Sequence, residues 1–422
     1  MNCLLQEHDF FSAEWNDKYQ SKTLIKWDKP PQGGWGYYAY YCIGAEWLAQ
    51  DKAIVVTTKK DLESIDWAAM FMTCFEAADE ADNFGGIYNV DFEQPPIKAP
   101  ILQSVLTPLL LVHFLQSVKN IVQKGLKRDY VQRSENLPKV KGRIGFLQNL
   151  RRNIVNGRAD RVFCRYSELS VDIPENRLIR RALEFSQSML MQMQQQGHNI
   201  ANVQTTFNQC LVAFSGVKSE IEFYQMRQTK SHKLYKEYNI ATRLARMILQ
   251  RYDFALSKAN SVEQHTVPVF WVNMSLLYEH YVLGLLRRAY GKDILYQSKG
   301  HSGLPDFLHI RQQVILDTKY KPRYDDSILS NDDIRQLAGY ARDKKIRERI
   351  GIELTDETTV VPCVIIYPKE KEEDKPLAEF HGNLFDIAKK DKDFVEFYRI
   401  CVDLPTCPSR RQRNIFVTPK SS

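Results

Sequence analysis

The chain has 422 residues, of which 44% are hydrophobic and 26% charged. That is the make-up of a folded globular protein of two or three domains at roughly 150 residues each, and it excludes a disordered chain, a collagen repeat and a coiled-coil rod. A formal net charge of +7 admits an anionic partner without requiring one.

From the N-terminus, MNCLLQEHDF carries acids and no basic segment, so no signal peptide is expected. Pro30-Pro31-Gln32-Gly33-Gly34 is a turn-forming run, and the aromatic stretch Trp35 to Trp47 after it reads as β structure. Ala53 to Thr57 is a second short strand, and Leu62 to Ala78 has helical spacing. Residues 94–100 form a stiff, proline-rich loop. Ile101 to Val118 is the most apolar stretch, but its Gln, Ser, Thr, Pro and His residues mark a buried helix, and no membrane span is expected.

Residues 101–258 read as mostly helical, with candidate helices at 101–124, 145–156, 174–196, 200–227 and 234–258. Arg128 to Gly142 reads as a basic connector and Val162 to Tyr166 as strand-like. Between Ser117 and Asp160 eleven Lys and Arg face three acids, an excess above that of the whole chain. Such a field suits DNA phosphates, an acidic protein partner or simply solvent. Residues 266–422 alternate: helix 270–290, strands near 293–298, 304–310 and 313–320, helix 332–347 and strand 360–367. The basic tail Ser409 to Arg413 is expected to fray. The 8 cysteines form no CxxC pair and stand at no zinc spacing to a histidine, which points to reduced, mostly buried thiols in the cytoplasm.

The chemistry concentrates in LPDFLHIRQQVILDTKYK, residues 304–321. Pro305-Asp306 is followed eleven residues later by Asp317-Thr318-Lys319, a PD…(D/E)xK arrangement. Two antiparallel strands turning at Arg311, Gln312 and Gln313 bring Asp306 and Asp317 together. Alternation then puts Asp317 and Lys319 on one face and points Thr318 away. Paired carboxylates bind a hard cation such as Mg2+, with Mn2+ as the alternative, and a lysine beside them orients water and stabilises phosphate charge. The reaction this predicts is hydrolysis of a DNA backbone by an endodeoxyribonuclease.

Glu279 sits on the Leu276/Val282/Leu283/Leu286 face of helix 270–290, where a carboxylate is costly unless a cation or donors satisfy it. It is read as a third metal ligand, with Arg287 or Lys299 as plain ion-pair alternatives. Ser330 to Asp333 looks like a helix start, with Gln336 one turn inside. PD by itself is a turn dipeptide, and DxK by itself is common; only the pair, in helix–strand–strand–helix order, is specific.

The sequence resembles the McrC family of McrBC-type modification-dependent (5-methylcytosine) restriction systems. The resemblance runs over roughly residues 100–370 on five stretches in order. These are Gly125 to Tyr130 with Val140 to Ile144, Ser167 to Leu169 with Asn176 to Ile179, Met274 to Glu279, Leu316 to Tyr320, and Arg335 to Tyr340. It implies a nuclease subunit that cuts double-stranded DNA and docks on an McrB-like AAA+ GTPase hexamer, stimulating its GTPase. GTP would be bound by that partner, in keeping with the lack of a GxxxxGK[ST] loop here.

The expectation is an α+β multidomain protein. It has a partner-docking region with β-hairpins at 1–100, a mostly helical middle with a basic connector at 101–260 and a PD-(D/E)xK endonuclease domain at 261–422. Pro30 to Trp47 is either an element inserted into the partner or an aromatic sheet on its own core. Rival functions are an adaptor that activates the partner without cutting, and a stand-alone structure-specific nuclease.

Overall fold

The computed structural model describes residues 2–11, 19, 22–29, 34–59, 65–76, 86–91, 93–196, 198–220, 236–257, 266–320, 331–353, 355–368, 377 and 379–406. The turn at 30–33, the tail 409–413, Cys407 and the ends of the expected helices at 62–78, 200–227 and 234–258 lie wholly or partly outside these residues. The chain divides into two compact units, one of Met1–Val112, Gln192–Ile200 and Asn260–Ser422, the other of His113–Met191 and Ala201–Ala259.

The first unit joins the two ends of the chain through a shared sheet. Val269–Asn273, expected as the first turn of a helix, is a strand rich in β-formers (VFWVN). It pairs antiparallel with Cys42–Ala49 on one side and Tyr88–Asp91 on the other. Lys52–Thr57 and then Asn2–Gln6 complete this five-stranded sheet, the last pair running parallel. The expected divisions at 100 and 260 therefore separate segments that one sheet holds together. Phe10–Phe11, Ile25–Asp28 and Gly36–Ala39 make a small antiparallel sheet. Its Tyr37 is fully buried, while Trp35 stays 64% exposed and stacks on Trp27. The aromatic run is thus partly core and partly surface.

Asn273 caps the helix Met274–Tyr290 by accepting the amide of Leu276. This helix packs against Trp67–Glu76, and Gly284 is where they touch: a Cβ there would lie 2.4 Å from the Thr73 carbonyl. The helix leads into a six-stranded mixed sheet in the order Ile294–Tyr296, Phe307–His309, Val314–Thr318, Cys363–Tyr367, Phe397–Cys401, Lys389–Lys390. The central parallel strands are apolar on both faces, as expected of strands covered on both sides. Leu308, Ile315, Cys363 and Ile365 pack with Ile334, Leu337 and Tyr340 of the helix Asn331–Arg342. The expected helix 332–347 is broken at Asp343, which caps a second helix, Lys344–Arg349.

In the second unit the expected connector is a strand. Asp129–Leu137 pairs along its whole length with Val162–Ser170, which also pairs with Arg143–Ile144. Helices in this unit include Ala201–Ala213 and Lys236–Ser257, and Pro174–Gln196 begins in it. The hairpin base is fixed by buried polar residues. Asn176 donates to the carbonyls of Lys127 and Val171 and accepts from the Tyr238 hydroxyl, and Arg177 forms a two-bond pair with Asp172 at 2.7 Å. The helical stretch Pro100–Lys124 is long and apolar enough to cross a membrane by composition, but most of its apolar window is buried in the protein.

Candidate active site

The strands Phe307–His309 and Val314–Thr318 form the expected hairpin, turning at Arg311 to Gln313, where Gln313 takes a positive φ of 55°. Their buried residues fix the register by pairing Phe307 with Leu316, which sets Asp306 level with Asp317 at the sheet's end. Asp306 Oδ2 accepts hydrogen bonds from the Thr318 amide at 2.7 Å and the Thr318 hydroxyl at 2.6 Å. Thr318 therefore does not simply point away. Its short side chain curls back to hold the carboxylate opposite.

Asp317 is 1% exposed and ion-paired with Lys319. The Lys319 ammonium also donates to Gln336 Oε1 at 3.2 Å and lies 3.8 Å from Asp333 Oδ1. Gln336 in turn donates to the Tyr340 hydroxyl at 2.9 Å. Asp333, Gln336 and Tyr340 share one helix face at i, i+3 and i+7, so a single helix locks the lysine from its far side. Glu279 reaches the site from the helix Met274–Tyr290 and accepts from Gln297 Nε2 at 3.1 Å. Gln297 supplies this bond where Arg287 or Lys299 was the expected alternative. The five residues expected at the site are thus brought into one neighbourhood.

The electrostatics are those of a site short of positive charge. Burial, then repulsion from Asp306, pushes Asp317 up to about 7 despite Lys319. Burial, then Glu279, pushes Asp306 to about 6. Glu279 is raised as well, mainly by burial, with Gln297 and Tyr296 working against the shift. Burial opposes the Lys319 charge, but Asp317, Asp333 and Asp306 overcome it and hold the ammonium above the usual lysine range.

An all-oxygen donor set that repels itself suits a hard divalent cation, which would restore the ionised form of both aspartates. Among the described residues no three His, Cys, Asp or Glu side chains form a group able to hold an ion by themselves. The expected three-carboxylate set is therefore not closed, with Glu279 bonded to Gln297, and the residues fit a cation held by Asp306 and Asp317 that keeps water in its other positions, as Mg2+ does.

The loop before Asp306 is tied from a distance. The Asp343 carboxylate accepts from the amides of His301 and Ser302 and from the Ser302 hydroxyl, while also capping its own helix through Lys345 and Ile346. Burial works against its charge, but these donors outweigh it and hold the carboxyl at about 2. Gly303, at φ +140°, passes so near Tyr340 that a Cβ would sit 3.1 Å from the ring.

Sequence reasoning did not find Thr318, Gln297, Tyr296 or Asp343 as parts of the site. It read Asp333 only as a first-turn acid. The spacing of Asp333 three residues before Gln336 was the available signal. For Gln297 and Asp343 there was none, because their roles depend on loop paths.

A second surface stands out in the unit His113–Met191 and Ala201–Ala259. Around the hairpin, Phe146 is 71%, Leu147 65% and Val155 73% exposed, among exposed Arg143, Arg151, Arg152 and Arg158. The short helix there passes into a π-helical turn at Leu150–Ile154, anchored by a reciprocal amide pair between Asn153 and Asn136.

Residues 93–350 match the family described as McrBC 5-methylcytosine restriction system component. Among solved structures, the chain is similar to one in a refined half-complex from a tetradecameric assembly of Thermococcus gammatolerans McrB AAA+ hexamers with bound McrC. The identity is 15%, over 96% of this chain and 95% of that one, with a TM-score of 0.39. It is also similar to a chain of the cryo-EM structure of the Thermococcus gammatolerans McrBC complex, at 13% identity over 68% of this chain and 88% of that one, with a TM-score of 0.33. No curated protein matches.

Proposed function

The chain belongs to the family of McrBC 5-methylcytosine restriction system components, and from that premise we propose that it is the Mg2+-dependent DNA endonuclease subunit of a GTP-driven restriction complex. One observation carries the reading: Asp306 and Asp317 are buried side by side at one sheet end beside Lys319, with Glu279 reaching in from its helix, at a cost in burial and repulsion that a divalent cation would relieve. The order of elements around them, a helix, three strands and a helix, supports a PD-(D/E)xK reading.

Asp306 and Asp317 would hold the cation, with Glu279 beside them. When bound, Mg2+ supplies an acidified water and neutralises phosphate charge. Thr318 fixes the Asp306 carboxylate, and Gln336 fixes the Lys319 ammonium. Lys319 is then placed to orient the attacking water and to stabilise negative charge on the phosphate. Water adds to phosphorus, the P–O bond to one sugar breaks, and a phosphate end and a hydroxyl end remain. With one such site per chain, a double-strand break takes two chains or two successive nicks.

The chain has no GxxxxGK[ST] loop, so the energy for DNA movement is assigned to an AAA+ GTPase partner that binds GTP. Docking is assigned to the N-terminal region, whose Trp35 and Phe10 remain more than half exposed. The site of action is the cytoplasm.

The test is plasmid cleavage in Mg2+, with wild type and Asp317→Ala, each with and without the AAA+ partner and GTP, on methylated and unmethylated DNA. Cutting by wild type alone, requiring partner and GTP, supports the reading. No cutting in any lane with GTP hydrolysis still accelerated makes the chain an adaptor. Robust cutting without nucleotide makes it a stand-alone nuclease.

A further inference from the structure

The residue that follows Lys319 is held by the other end of the chain. Tyr320 is 3% exposed, and its hydroxyl donates at 3.0 Å to Glu7 Oε2. Glu7 extends the strand Asn2–Gln6 by one residue, its amide bonding to the Thr57 carbonyl at 3.0 Å. It is itself only 4% exposed, and among the described residues its Oε1 has no hydrogen-bond partner. The Lys59 amide donates to the same Oε2 at 3.4 Å, and the Lys59 ammonium lies 4.4 Å from the Tyr320 ring centre. Tyr41 and Tyr278 close over the ring at 6.3 and 5.9 Å.

A buried carboxylate with one idle oxygen is costly, and an apolar residue would serve packing better. What the carboxylate adds is direction. It grips the Tyr320 hydroxyl, and with it the strand end whose Lys319 amide bonds to the Ile366 carbonyl at 2.9 Å. We infer that Glu7 is a positioning residue for the cleavage reaction, holding Lys319 in register with Asp317 through Tyr320. The inference rests on the nuclease reading above. It makes the five-stranded sheet that begins at Asn2–Gln6 part of the catalytic frame.

The experiment uses the full chain with its AAA+ partner, GTP and Mg2+ on a 5-methylcytosine-containing plasmid, and reads kcat and KM separately. Tyr320→Phe keeps the ring and its packing and removes only the hydroxyl. It and Glu7→Ala should each lower kcat about tenfold, the rate equivalent of one hydrogen bond to a charged group, with KM for DNA unchanged. Glu7→Gln, which keeps an acceptor oxygen, should regain most of the rate. The double variant Glu7→Ala/Tyr320→Phe should be no slower than either single one. If Glu7→Ala does not fold, Tyr320→Phe and Glu7→Gln decide. Wild-type kcat in Tyr320→Phe overturns the inference and leaves the nuclease reading standing. A wild type that does not cut overturns both.

Discussion

The two units break the rule of apolar inside and charge outside in opposite directions. The sheet end that carries Asp306 and Asp317 buries acids that repel one another, whereas the hairpin surface around Phe146 exposes apolar side chains among arginines. In the first case folding stability is lost to keep a charge pattern that suits a cation and a phosphate. In the second, apolar area is left in water among positive charge. A departure from the burial rule marks a place where the chain meets something else. The sign of the departure, buried charge or exposed apolar surface, tells the two places apart.

The comparison breaks first at Lys319. Lys319→Met should lower plasmid cleavage by roughly a hundredfold to a thousandfold, the usual loss when a charge-stabilising donor is removed. Its folding should survive, which urea denaturation would show. Retained cleavage would move the chemistry elsewhere.

Asp343→Ala comes next, because it strips the acceptor from the loop at 301–302 and the cap from Lys344–Arg349 together. The expected loss is about 1–3 kcal/mol in denaturant unfolding, with cleavage impaired through the displaced Asp306 loop. An unchanged midpoint would show that the loop is held by other contacts.

The buried acids predict a pH effect. The folded pKa of Asp306, about 6, lies above the ordinary 3.8, so the native state binds the proton more tightly. Stability contributed by that proton is present below pH 3.8 and falls as pH rises through 6. Thermal unfolding without divalent cations should therefore show Asp306→Asn gaining on wild type across that window. A parallel decline of both proteins would assign the loss to other groups.

The smallest effect is expected on the exposed surface. Phe146→Ser should change stability by no more than about 0.5 kcal/mol, since the ring is already in water. A larger loss would make the residue part of a core and remove the contrast between the two regions.

The sequence was legible where chemistry and local periodicity coincide. The PD…DTK spacing predicts its hairpin, because two apolar strands and a polar turn leave few registers. Glu279 stands out as an acid on an apolar helix face. In the strand Asp129–Leu137, Asp, Arg, Asn and Glu disfavour strand structure, and only the long pairing with Val162–Ser170 overrides that preference. The strand Val269–Asn273 is hard to tell from the start of the helix after it, since its partners lie more than 170 residues away in sequence. Glu7 had no local signal at all: its partner Tyr320 is 313 residues distant. Likewise, Asn176 and Arg177, which carry part of the family resemblance, serve the hairpin base and not the site.

The central claim is that Asp317 is kept for chemistry against the interest of folding. The direct measurement is Asp317→Asn beside wild type at pH 8, scored for thermal midpoint without divalent cation and for plasmid cleavage with Mg2+, partner and GTP. The account predicts a midpoint at or above that of wild type, because the neutral amide escapes the cost of burying a charge and no longer opposes Asp306, together with loss of cleavage. A lower midpoint with cleavage retained would contradict it and make Asp317 a structural residue.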